Sequence, residues 1–170
     1  MKTYVEHIVN YYPKHSGLHN YESSLLIELK KGYNYPKTYF FTKLCDWIKE
    51  NIQIPHTLCC IPNSKGDNPI SYLIQEICFR FPYLEDGSDL IQNRYKRKQL
   101  HFMNYRSKSI VKNTVSISPK VKSKHILLLD DIVTTGTTMS AIEDSLLSKG
   151  AMTVHCLAIG KTWHPIEKRA

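Results

Sequence analysis

No apolar run in this chain reaches the ~20 residues that a bilayer crossing requires. The N-terminal stretch, with Glu6 and His7 early, also lacks the apolar core of a secretory signal. Both absences lead us to expect a cytoplasmic protein with no membrane partner. No Cys-x-x-Cys pair occurs among the five cysteines, Cys45, Cys59, Cys60, Cys78 and Cys156, which argues against a zinc site or a disulfide framework. Three of them lie in apolar, strand-like runs and read as reduced core thiols. The chain shows neither an internal repeat nor a low-complexity tract.

Acid is missing from one long stretch. Between Arg94 and Lys124 there are many Lys and Arg and no Asp or Glu, so the net charge of +8 is unevenly distributed. Such a stretch suits a polyphosphate substrate covered by a basic lid, a nucleic acid held through its phosphates, or simply a solvated basic face. Composition leaves the three open.

At 170 residues the chain has the length of one domain with a proper core. We expect an N-terminal helical or hood segment over 1–55, a parallel-sheet core over 56–160 and a tail over 161–170. The first seventeen residues hold an apolar segment whose type stays open. Leu25, Leu26 and Leu29 recur on one side of a helix over 21–31, stopped by Gly32. Phe40, Phe41, Leu44, Trp47 and Ile48 do the same over 36–51, behind Pro36. Residues 57–61 form a short apolar run between prolines, which predicts an inner strand. After it come Asn63, Ser64, Lys65, Gly66 and Asp67, then a helix over 69–81. A further strand is expected over 89–92, a short helix over 105–113 and a strand over 115–117. A strand over 153–159 is trailed by Gly160, Lys161, Thr162, Trp163 and His164.

The most informative stretch is 126–138, Ile-Leu-Leu-Leu-Asp-Asp-Ile-Val-Thr-Thr-Gly-Thr-Thr. Four apolar residues predict a strand buried on both faces, ended by the carboxylates of Asp130 and Asp131. The loop after it leads into a helical pattern carried by Met139, Ile142, Leu146 and Leu147. Its backbone N–H groups, together with the positive end of that helix, suit a phosphate. Gly136 can take the conformation such a nest needs, and the hydroxyls of Thr134, Thr135, Thr137 and Thr138 add uncharged donors. Acids beside a phosphate must face another part of the ligand, and the vicinal hydroxyls of a ribose are natural donors to them. Strands alternating with helices predict an α/β fold with a mainly parallel, doubly wound sheet. The ligand then lies across the carboxyl ends of the strands.

This thirteen-residue stretch resembles the phosphoribosyl pyrophosphate (PRPP) loop of the type I phosphoribosyltransferases. A looser likeness extends over residues 21–160 to the ComF group of competence-associated proteins. It is carried by the early Tyr21 and the apolar helix ending in Lys30, and by the series Arg94, Gln99, Arg106 and Asn113. Two departures stand out: there is no N-terminal four-cysteine zinc ribbon, and Lys65-Gly66 stands where that group has Arg-Gly. The resemblance implies a type I fold with a small hood, with PRPP, or a nucleoside monophosphate and pyrophosphate, as substrates.

Within that picture Asp130 and Asp131 hold the ribose hydroxyls, and residues 134–138 hold the 5-phosphate. Lys65, flanked by Ser64 and Gly66, receives the pyrophosphate with Arg94 or Arg97. The basic run after Arg94 corresponds to the family's flexible catalytic loop. Mg²⁺ is expected through substrate oxygens and water, with no cage of protein ligands. Trp163 is a candidate stacking residue for the base and Lys161 a candidate donor to it. A homodimer is compatible with the fold. A non-catalytic sensor of PRPP or nucleotide, associated with nucleic acid, is the second reading.

Overall fold

The computed structural model describes residues 4–63, 68–94 and 108–164. Its centre is the strand that carries Ile126 to Leu129, all of them 0% exposed. Residues apolar on both faces of a strand must be covered on both sides, and the chain supplies the covers. The main sheet has the order β1-β7-β6-β2-β3, every pair parallel. These strands are β1 (Glu6–Tyr11), β2 (Thr57–Cys60), β3 (Glu85–Asp86), β6 (His125–Val133) and β7 (Thr153–Thr162). A separate antiparallel pair joins β4 (Ile91–Asn93) to β5 (Val115–Ile117).

Helices α1 (Tyr21–Lys30), α2 (Tyr35–Asn51) and α3 (Pro69–Arg80) bury Leu26, Phe40, Leu44 and Ile74 on one face, against Leu58, Leu127 and Leu157. The other face, with Ile126, Leu128 and Ala158, is covered by α4 (Lys108–Thr114), α5 (Thr137–Ser148) and the β4–β5 pair. This is a doubly wound α/β arrangement. Burying each such large side chain contributes roughly 1.5–3 kcal/mol before the entropy of ordering is set against it. Among the described residues no helix is long and apolar enough to cross a membrane.

Local signals set most element ends. Asn20 caps α1 by accepting from the Ser23 N–H at 2.9 Å, and Asn68 caps α3 through the Ile70 N–H at 3.0 Å. The first apolar segment, whose type the sequence leaves open, is β1, an edge strand of the sheet. Three details differ from the sequence expectation. The acids do not end β6, which runs on through them to Val133. Gly160 to Thr162 do not trail off β7 but belong to it, because β1 pairs with them along their whole length. The strand expected near 89–92 lies outside the parallel sheet, and β3 carries no apolar signal at all.

All five cysteines are free thiols, and burial pushes Cys59 and Cys156 up to about 12. At the opposite edge from the strand carboxyl ends, His56 is 5% exposed, with Nδ1 2.9 Å from the Ile54 carbonyl and a buried Nε2 without a partner among the described residues. The rings of His125 and His155 lie 5.5 and 5.7 Å from it. Burial holds the His56 pKa below its ordinary value, and the two neighbouring imidazoles push the same way against the Ile54 carbonyl. The unfolded chain therefore takes up a proton that the folded one refuses. Stability is full above about pH 6.5 and falls as pH drops through that value. A His56→Leu variant is expected to flatten this loss, read as urea midpoint against pH between about 7 and 5.

Candidate functional site

Parallel strands deliver their last residues to one edge of a sheet, and here that edge carries the loops that follow β2, β6 and β7. At its centre the half-buried Asp130 and Asp131 are each turned back on the chain. The Asp131 N–H donates to Asp130 Oδ1 at 2.9 Å, and the Ile132 N–H donates to Asp131 Oδ1 at 2.6 Å. Lys30, at the end of α1, places its ammonium 3.4 Å from Asp131 Oδ2. Both oxygens of Asp131 are thus oriented. Each keeps a second lone pair for a hydroxyl donor.

Three residues after β6 the chain turns into α5. Gly136 caps that helix with φ +75°, a left-handed conformation that costs a side-chain-bearing residue roughly 1–2 kcal/mol. A glycine cap has no side chain with which to satisfy the amides of the first turn, and that turn holds no acid. The hydroxyls around it are organised. Thr135 Oγ1 lies 3.0 Å from Thr137 Oγ1, and Thr134 Oγ1 lies 3.1 Å from Thr162 Oγ1 on β7. Thr138 continues the same first turn, half-buried. Oriented amides, hydroxyls and a helix N-terminus without a fixed anion form a cradle for a phosphate-sized group.

On one flank, the exposed Lys161 stands near the end of β7 and the half-buried Trp163 follows directly after it. The Trp163 N–H donates to the Tyr11 carbonyl at 2.8 Å, and its ring tilts against Tyr12 with centroids 5.6 Å apart. The Thr134–Thr162 contact brings this pair to the phosphate cradle. On the other flank, beyond β2, Asn68 donates to the Ile61 carbonyl at 2.8 Å while capping α3. Asn93, at the end of β4, donates to the Asn63 carbonyl at 3.1 Å, so that the exposed Arg94 beside it is held at this edge. The Arg94 N–H donates to the Thr114 carbonyl at 2.8 Å.

The cleft between these loops is lined by Cys60, Asn63, Asn68, Ser71, Gln92 and Asn93 among others, with no carboxylate among the described residues. Burial raises the Cys60 thiol against a contact to Ser71 at 3.4 Å that lowers it, so the group is a poor nucleophile. Ser64, Lys65, Gly66 and Arg97, with the basic run around Arg97, lie outside the described residues. Among the described residues no group of three or more His, Cys, Asp or Glu could hold a metal ion.

Four contributors escape a reading of the sequence. Asn68 carried a signal, standing directly before a proline at a helix start. Lys30 carried only its place at the end of the helix that bears the looser likeness, and Tyr12 and Asn93 carried none, because the partners Asp131, Trp163 and Asn63 are distant in the chain.

Residues 88–165 match the family model described as "Phosphoribosyl transferase domain". The protein called "DNA utilization protein YhgH" of Shigella flexneri is 27% identical over 118 residues, covering 65% of this chain and 52% of that protein. Its namesake in Escherichia coli strain K12 is 26% identical over 118 residues with the same coverage. That of Salmonella typhi is 29% identical over 98 residues, 58% of this chain and 43% of that protein. The chain thus spans about half the length of these curated relatives. Their names fit the likeness to the competence-associated group. Among solved structures, a hypoxanthine phosphoribosyltransferase from Staphylococcus aureus overlaps with 86% of this chain and 70% of its own, at 14% identity and a TM-score of 0.41.

Proposed function

We propose, for a chain that carries a phosphoribosyl transferase domain over residues 88–165, that it binds PRPP and transfers the phosphoribosyl group between pyrophosphate and a nitrogenous base. The observation that carries this reading is the junction of β6 and α5. There an oriented acid pair stands a few residues before a glycine-capped helix with hydroxyls around its first turn. In the reaction a base nitrogen displaces pyrophosphate at the anomeric carbon, and positive charge develops on the sugar. Asp130 and Asp131 accept the ribose hydroxyls and lie where that charge builds. Thr134, Thr135, Gly136, Thr137 and Thr138 hold the 5-phosphate. Lys65, Ser64 and Gly66, with Arg94 and Arg97, are assigned to the pyrophosphate.

Bound Mg²⁺ supplies charge neutralisation of the diphosphate. Two adjacent carboxylates are hard oxygen donors that suit it through water, the rest of its shell coming from the substrate. Trp163 with Tyr12 offers a face for the base, and Lys161 a donor to it. The test is a screen of purine and pyrimidine bases for pyrophosphate release from PRPP. Release that depends on one base establishes the transferase.

A specific observation favours a second reading, a regulator that keeps the site and engages nucleic acid. The relatives are named for DNA utilization, and the stretch 94–124 is free of acid. No release with any base, together with DNA binding whose affinity falls steeply with salt, would select it.

A further inference from the structure

The helix α1 packs against the sheet through Leu25, Leu26 and Leu29, none more than 1% exposed, and ends at a defined residue. The Gly32 N–H donates to the Leu29 carbonyl at 2.9 Å and the Tyr33 N–H to the Glu28 carbonyl at 3.1 Å, with Gly32 at φ +87°. This crossed pair of bonds fixes where the last turn stops. The next residue after the buried Leu29 is Lys30. Its ammonium therefore arrives beside β6 from an element that cannot slide, 3.4 Å from Asp131 Oδ2.

Two features separate this contact from an ordinary surface ion pair. First, its acid is one of the pair assigned to the ribose, and the other oxygen of that carboxylate is already held by the Ile132 N–H at 2.6 Å. Rotation of the Asp131 carboxylate is thus stopped at both ends. Second, the burial is one-sided, with the Asp131 side chain 19% exposed and that of Lys30 53% exposed. The ammonium needs one N–H for the carboxylate and keeps two others on its open side. A neighbouring acid pair would repel a triply phosphorylated sugar on its approach, and a lysine bound to one member removes part of that repulsion.

We propose that Lys30 is a positioning residue of the phosphoribosyl site. It holds Asp131 oriented for the ribose hydroxyls and offsets its charge toward the incoming diphosphate. The proposal rests on the phosphoribosyl reading above.

The test is calorimetric titration of PRPP with Mg²⁺ into the wild type, Lys30→Met, Lys30→Arg, Asp131→Asn and the Lys30→Met, Asp131→Asn double variant. Lys49→Met serves as control, since Lys49 pairs only locally with Asp46 on α2. Lys30→Met is expected to weaken binding by about tenfold or more, since it leaves a site carboxylate without its counter-ion. Lys30→Arg should stay within about threefold of the wild type. In the Asp131→Asn background, Lys30→Met should change affinity by less than about twofold, because the group it positions is gone. Thermal midpoints should barely move, since a half-exposed ion pair contributes little to stability. Lys30→Gln repeats the measurement should the Met variant aggregate.

Unchanged affinity in Lys30→Met overturns the proposal, as does a loss that adds fully to that of Asp131→Asn or one that tracks the thermal midpoint without rescue by Arg. A wild type that binds no PRPP overturns the phosphoribosyl reading itself, and this inference with it. A wild type that binds while Lys30→Met binds equally well overturns the inference alone.

Discussion

Replacing Asp130 and Asp131 together by Asn is expected to weaken PRPP binding by about a hundredfold or more, because two charge-assisted hydrogen bonds of roughly 1.5–3 kcal/mol each are lost. Two effects oppose one another here. Removing two negative charges beside a polyphosphate lowers repulsion, which alone would tighten binding. Near a protein surface that term falls from about 4 kcal/mol per charge pair at about 4 Å to about 2 kcal/mol at about 8 Å, but Mg²⁺ on the diphosphate screens it and Lys30 already offsets it at Asp131. The hydrogen bonds therefore decide the sign. Asn is nearly isosteric and can still accept from the amides of Asp131 and Ile132, so the loop geometry is kept and the thermal midpoint should change little. Calorimetric titration in the presence of Mg²⁺ measures the difference. Tighter binding in the double variant would mean that the acids do not face the sugar.

The second large effect falls on stability. Gly160 lies inside β7, paired with Val9 of β1 on one side and with Ile132 of β6 on the other. A Cβ built there would stand 2.5 Å from Leu26 Cδ1, and Leu26 is 0% exposed. Leu26 sits inside the core cluster and can give way only by repacking against its neighbours, so Gly160→Ala should cost about 1–3 kcal/mol, and Gly160→Val should reach the top of that range or exceed it. Against a total of roughly 5–15 kcal/mol such a loss is a large share. It would appear as a lower urea midpoint with an unchanged slope. Combining Gly160→Ala with Leu26→Ala should cost less than the sum of the two, because the added methyl partly fills the cavity left by Leu26. Full additivity would show that the close approach is relieved elsewhere.

Legibility differed sharply between elements for physical reasons. The helices α1, α2 and α3 and the strand β2 could be read because periodicity, proline and capping residues are local signals. The short strand β3 could not, since Glu85 and Asp86 are both exposed and no alternation marks them. What holds that strand is its backbone pairing to β2, the Thr57 hydroxyl donating to Glu85 at 2.9 Å, and the ion pair of Lys124 with the same carboxylate. That lysine holds the Glu85 pKa below its ordinary value. The end of β7 was misjudged for a related cause. Gly160 and Lys161 lack strand character of their own, and the stretch to Thr162 is extended because Val9, Asn10 and Tyr11 of β1 lie alongside.

By itself the sequence determined the α/β class, the succession of a buried strand, an acid pair and a glycine-capped loop, and the chemistry that loop offers. All of these follow from neighbours within a dozen residues, where strand burial, chain reversal at Gly136 and helix initiation act locally. Only the tertiary structure decided what surrounds that loop: Lys30 on Asp131, Thr162 on Thr134, Tyr12 against Trp163, and Asn93 tied to Asn63. These contacts join segments whose meeting depends on strand order and on how α1 packs over the sheet. No local preference encodes that order. It emerges when the two faces of β6 are both buried and the chain must supply helices and edge strands to cover them.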